Sequence, residues 1–140
     1  MTGRIACFRR ANRGNSAVEF ALILPLLAIL LVGIVDIGRY AYQRTDMFGA
    51  VRAGAQYLMA GGSNEVTTEA IVTRSWSQAP ADGTVSVDEF CLCGGEVVMC
   101  NALCADDEAP DAYTRIVVSG TYRGIFMSLA NEASETVRVR

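Results

Sequence analysis

Histidine and lysine are both missing from the 140 residues. Without histidine there is no Ser-His or Cys-His nucleophile pair and no imidazole to bind a metal. Without lysine there is no P-loop lysine, no Schiff base and no Ser-Lys dyad. Carboxylate acid/base chemistry remains open in principle, and a thiol-disulfide enzyme is supported only by the cysteine cluster, but the expectation is a non-catalytic protein that needs no cofactor. Two further absences are local. Residues 1–14 hold Arg4, Arg9, Arg10 and Arg13 but no acid, and Phe20 to Val35 holds no charged side chain at all.

What is present follows from that unevenness. The head carries +4, while residues 15–140 carry −7, giving the net −3. A basic head, an apolar stretch and an acidic body form the layout of a membrane-inserted protein whose head stays in the cytoplasm. The apolar helix extends from Ser16 or Ala17 to Val35 or Ile37. Twenty residues at 1.5 Å each span about 30 Å, the hydrocarbon thickness of a bilayer. A buried core helix is the alternative, but the rest of the chain is small for wrapping a helix that is apolar on every face. A cleaved secretory signal fits poorly, because the run is long and Val35-Asp36-Ile37-Gly38-Arg39 offers no A-x-A site.

One carboxylate, Glu19, sits at the mouth of the run, five residues past Gly14. On insertion scales such a charge costs about 2.5–3.5 kcal/mol at the bilayer centre and less near an interface. The segment Gly14-Asn15-Ser16-Ala17-Val18-Glu19-Phe20 resembles a type IV prepilin processing site. More narrowly, three stretches are similar to the TadE-like proteins: Arg13 to Leu22, Leu24-Pro25-Leu26-Leu27, and Gly33-Ile34-Val35-Asp36-Ile37-Gly38-Arg39. These are minor pilins, or pseudopilins, of the tight-adherence (Flp) pilus system, and the close resemblance covers about residues 13–60. Phe20 stands where Flp pilins often carry tyrosine, and Asp36 where glutamate is common.

The resemblance implies that a prepilin peptidase cuts after Gly14, on the cytoplasmic side, and that Asn15, Glu19 and Phe20 belong to the processing site. Cleavage creates an amino group on Asn15, positive at neutral pH. Glu19, one helical turn along or on a neighbouring subunit, can meet that amine; snorkelling to the headgroups is the simpler alternative. Pro25 removes a backbone hydrogen bond and should loosen or kink the helix near residues 21–25. With Glu19 it is expected to shape subunit packing. Implied partners are the peptidase, other pilin and minor pilin subunits, the inner-membrane assembly platform and the lipid bilayer, with no nucleic acid among them. The implied location is the bacterial inner membrane, single-pass, N-terminus cytoplasmic and C-terminal head periplasmic, with incorporation in a surface pilus as a further expectation.

Four segments are therefore expected: a leader over 1–14, a transmembrane helix over 15–37, its amphipathic continuation over 38–62, and an α+β head over 63–140. In the third, Phe48, Val51, Ala55, Leu58 and Met59 define an apolar stripe, and Gly49, Ala50, Ala53 and Gly54 allow close approach. Gly61-Gly62-Ser63-Asn64 stops the helix. A second helix over 65–78, with Val66, Ala70, Ile71 and Trp76 on one side, is followed by the turn Pro80-Ala81-Asp82-Gly83. Strand patterns then cover 84–91, 96–100, 113–123 and 136–140. A small antiparallel sheet packed on the preceding helix is the economical arrangement, as in a pilin head.

Cys7 lies in the leader; Cys91, Cys93, Cys100 and Cys104 fall within fourteen residues. In an oxidising periplasm an even set of cysteines pairs, and two disulfides would staple a region with a small core. Three connectivities are open. A four-cysteine zinc site is the rival, although C-x-C followed by C-x₃-C departs from the usual C-x₂-C pairs. Asp106, Asp107, Glu108 and Asp111 are weak calcium candidates, lacking the EF-hand spacing. The reading is a minor pilin-like assembly subunit; the alternative is an uncleaved bitopic inner-membrane adaptor or sensor with a periplasmic domain.

Overall fold

The charge-free run does fold as a helix, and the chain after it builds a small sheet. The computed structural model describes residues 13–139, with side chains from residue 17 onward. The order is α1 (Arg13–Met59), α2 (Glu65–Ser75), β1 (Thr84–Cys93), β2 (Glu96–Val98), β3 (Asp111–Arg123) and β4 (Ser128–Arg138). This is the expected α+β architecture. Two compact units are distinguished, one ending at Val35 and the other beginning at Asp36.

In the first unit, Leu22, Leu26, Leu31 and Ile34 are all exposed. Among the described residues α1 is the helix long and apolar enough to cross a membrane, and almost none of its most apolar stretch is buried. A core helix would hide those side chains, so this exposure disfavours that alternative. The helical assignment runs through Pro25 without interruption and starts at Arg13, ahead of the expected Ser16. Residues 13–16 contain no proline to interrupt it, although Gly14 and Asn15 are weak helix formers.

In the second unit the later part of α1 supplies Met47, Ala50, Val51, Ala55 and Leu58 to the core. The expected stripe is right at Val51, Ala55 and Leu58, but Met59 is exposed, and Met47, fully buried, takes a place in the stripe. Gly61, at φ +93°, then turns the chain out of the helix, and the Gly62 N–H donates to the Tyr57 carbonyl at 3.0 Å. Asn64 caps α2 by accepting the Thr67 N–H at 2.9 Å. The buried face of α2 is Thr68 and Val72; of the expected side Val66 and Ala70 are exposed and Ile71 is half-buried, while Trp76, just past the helix, does enter the core. That face is dictated by Gly54 of α1, whose missing Cβ admits the Val72 and Ile116 methyl groups. The helix also stops at Ser75, short of residue 78, because Asp46 accepts from the Ser77 hydroxyl at 2.8 Å and the Gln78 N–H at 2.7 Å.

The four strands form one antiparallel sheet in the order β2-β1-β3-β4. On β3 the alternate residues Ala112, Thr114, Ile116 and Val118 are buried, as a half-buried strand requires. Val87 of β1 pairs with Ile116, and Val118 with Ala133 of β4. Each fully buried Val or Ile contributes about 1.5–3 kcal/mol. β4 begins at Ser128, well before the expected residue 136. Its Asn-Glu-Ala-Ser-Glu stretch has poor strand propensity, but the full-length ladder on β3 outweighs that preference.

Candidate functional site

Gly14 and Asn15 fall in the first turn of α1, but their side chains, like residues 1–12 and with them Cys7 and most of the leader, lie outside the described residues. Glu19 and Phe20 follow on the exposed helix, and Pro25 is internal to it. These residues are placed in line, with helical spacing, at the start of the apolar run.

The second unit opens with a feature that the sequence did not announce. Asp36, the residue after Val35, is 2% exposed, and its carboxylate meets three donors. Oδ1 accepts from the Tyr122 hydroxyl at 2.6 Å and the Ile125 N–H at 3.1 Å, while Oδ2 accepts the Phe126 N–H at 3.0 Å. The Tyr122 hydroxyl also reaches the main-chain carbonyl of Asp36, at 2.9 Å. Gly124 lies so near that a Cβ there would overlap the carboxylate. The hydrogen bond to Asp36, reinforced by burial, raises the Tyr122 pKa above its ordinary value. A carboxylate saturated by three donors is an anchor; it fastens the β3–β4 turn to α1. Tyr40 supports the anchor through an edge-on ring contact with Tyr122, 5.6 Å between centroids.

Beside this cradle a concavity of about 220 Å³ is lined by Arg39, Gln43, Asp82, Tyr122 and Arg123, among others. The Asp82 carboxyl titrates below its usual range, chiefly because the Thr121 hydroxyl donates to it. The concavity is charged and open, with no nucleophile–base pair among those side chains.

At the other end of β3 the four cysteines pair as Cys91–Cys100 and Cys93–Cys104. Of the three open connectivities this one joins β1 to the loop after β2. Asp106, Asp107, Glu108 and Asp111 do not gather: no group of three or more Cys, Asp or Glu side chains able to hold a metal exists among the described residues. Asp111 instead pairs with Arg138 across the β3–β4 ladder.

The sequence model of the family described as TadE-like protein matches residues 14–56. The resemblance seen in the sequence is thereby shown over α1, from the glycine at the expected processing point to the core-facing part of the helix. The match, over less than half of the chain, suggests a Tad pilus-associated protein, and the long apolar helix is compatible with a single-pass membrane anchor. No curated protein and no solved structure matches the chain significantly. The Asp36 cradle falls half inside this match: Asp36 lies within residues 14–56, whereas Tyr122, Ile125 and Phe126 lie outside it. No sequence spacing could have linked partners 86 to 90 residues away.

Proposed function

We propose that the protein is a non-catalytic minor pilin, or pseudopilin, that takes part in assembling a Tad/Flp-type pilus. The observation that carries this reading is that the family match begins at Gly14 and takes in the whole apolar run, whose side chains are almost all unburied. The leader is cytoplasmic, the helix spans the inner membrane, and the disulfide-bearing head lies in the periplasm, where thiols pair. A prepilin peptidase cuts after Gly14, and Glu19 then finds the new amino group of Asn15, within its own subunit or on a neighbour. Other pilin subunits and the assembly platform receive the helix once it leaves the bilayer.

Intact-mass measurement after co-expression with the cognate prepilin peptidase tests the reading. A species beginning at Asn15 is expected. A chain that stays full-length beside an active peptidase, one that does cut its major pilin, overturns the processing step. That result would favour an uncleaved bitopic adaptor or sensor using the same helix as an anchor.

A further inference from the structure

The β3–β4 connection is a two-residue tip, Ile125-Phe126, closed by the Gly124 N–H donating to the Met127 carbonyl at 2.8 Å. Tips of this length ordinarily carry Asn, Asp or Gly, because the favoured turns need a positive φ. Here both residues are large and apolar, neither has a positive φ, and they are 68% and 61% exposed. The Asp36 carboxylate substitutes for turn chemistry by accepting both of their N–H groups. The fold therefore spends a buried carboxylate on displaying two greasy side chains.

Their level along the chain is set by that same bond. Asp36 is the first charged residue after Glu19, directly following Val35. An apolar helix from Ala17 to Val35 spans about 28 Å, so residue 36 falls where hydrocarbon gives way to headgroups. Tyrosines gather at the same level: Tyr40 and Tyr122 touch, and Tyr42 is exposed. Such rings are enriched at membrane interfaces. Arg39 and Arg123, both exposed, line the concavity beside Tyr122 and suit anionic headgroups.

We infer that the β3–β4 tip is a second membrane contact, with Ile125 and Phe126 entering the headgroup–acyl boundary of an anionic bilayer on the periplasmic side. This rests on the reading of α1 as a membrane span. The contact holds the head against the bilayer until the subunit is extracted, and an apolar tip is released at the moment α1 leaves lipid.

The full chain, reconstituted in phosphatidylethanolamine–phosphatidylglycerol vesicles, tests this by tryptophan quenching. Trp76 is the one native tryptophan and is buried, so wild-type protein gives the baseline. Three variants each add a reporter: Phe126→Trp at the tip, Leu27→Trp in the helix and Leu103→Trp in the disulfide-bearing loop. Lipids brominated near the headgroup should remove about half of the added Phe126→Trp emission, as for a side chain lying in the interface. Lipids brominated toward the chain ends should quench Leu27→Trp, and neither should touch Leu103→Trp. An unquenched Phe126→Trp beside a quenched Leu27→Trp overturns the tip contact alone; an unquenched Leu27→Trp overturns the membrane span and the tip with it. Quenching at Leu103→Trp as strong as at the tip, or protection of the tip that grows with protein density, also overturns the inference. The latter would assign the tip to a second copy of the chain.

Discussion

The Tyr122 hydroxyl binds the Asp36 carboxylate at 2.6 Å and the Asp36 main-chain carbonyl at 2.9 Å, joining residues 86 positions apart. Because the bond needs the phenolic proton, Tyr122 titrates above its usual 10.0. The folded state thus holds that proton more tightly than the unfolded chain does. Its stabilisation is complete below about pH 10 and is lost as pH rises through the raised value. Tyr122→Phe should therefore melt several degrees lower than wild type at neutral pH in detergent. The gap should narrow as pH climbs past 10, as read by circular dichroism. A gap independent of pH would mean that Tyr122 acts through packing alone.

Gly124 tests the same cradle from the other side. A methyl group there would overlap the Asp36 carboxylate, so Gly124→Ala should destabilise the head clearly. Removing the carboxylate first, with Asp36→Ala, should make the added methyl far less costly. Thermal melts of the two single variants and the double variant measure that coupling, and strict additivity would contradict the geometry.

Two helical glycines on α1 should respond with opposite signs. At Gly54 a Cβ would press on Val72, Ile116 and Thr68, so Gly54→Ala should cost about 1–3 kcal/mol through overpacking. At Gly49 nothing lies within 4 Å. Gly49→Ala should stabilise the isolated subunit by about 0.5–1 kcal/mol, the ordinary gain of alanine within a helix. Denaturant titration of each variant in detergent distinguishes the two.

The cysteine pairs close short loops, with sequence separations of 9 and 11. Loops of that size predict roughly 2–4 kcal/mol of stabilisation per bridge. Cys91 is 1% exposed, whereas Cys93 is half-buried, so Cys91→Ser should cost more than Cys93→Ser by leaving a buried hydroxyl. Alkylation followed by mass measurement should find these four thiols blocked until a reductant is added.

Glu19→Ala should leave cleavage after Gly14 largely intact and impair pilus assembly, the pattern expected of a charge that acts after processing. Immunoblots for processing and electron microscopy for pili separate the two steps. Normal piliation with this variant would remove the registering role.

Much of the fold could be read from residues whose signals are local. The run from Phe20 to Val35, the stop at Gly61-Gly62 and the turn at residues 80–83 each depend on neighbours in the chain. The cysteine cluster was equally visible, although its pairing depended on how β1 and β2 are aligned. What escaped were features decided at a distance. Thr68 and Val72 became the buried face of α2 because Gly54 offers a notch there, and β4 extends to Ser128 because β3 supplies a ladder. Asp36 marked only the end of an apolar run until Tyr122 and the turn came to meet it.

The distance along the chain between Asp36 and its donors also fixes an order of events during synthesis. At about 5–20 residues per second, the ribosome needs roughly 5–20 s after making Asp36 to reach Phe126. Throughout that interval the apolar run has already been made, while the carboxylate behind it has none of these donors. The head therefore cannot latch before the segment through Phe126 has been made. Chains stalled before that point would carry the apolar helix with an open latch, a difference that limited proteolysis of stalled chains should register.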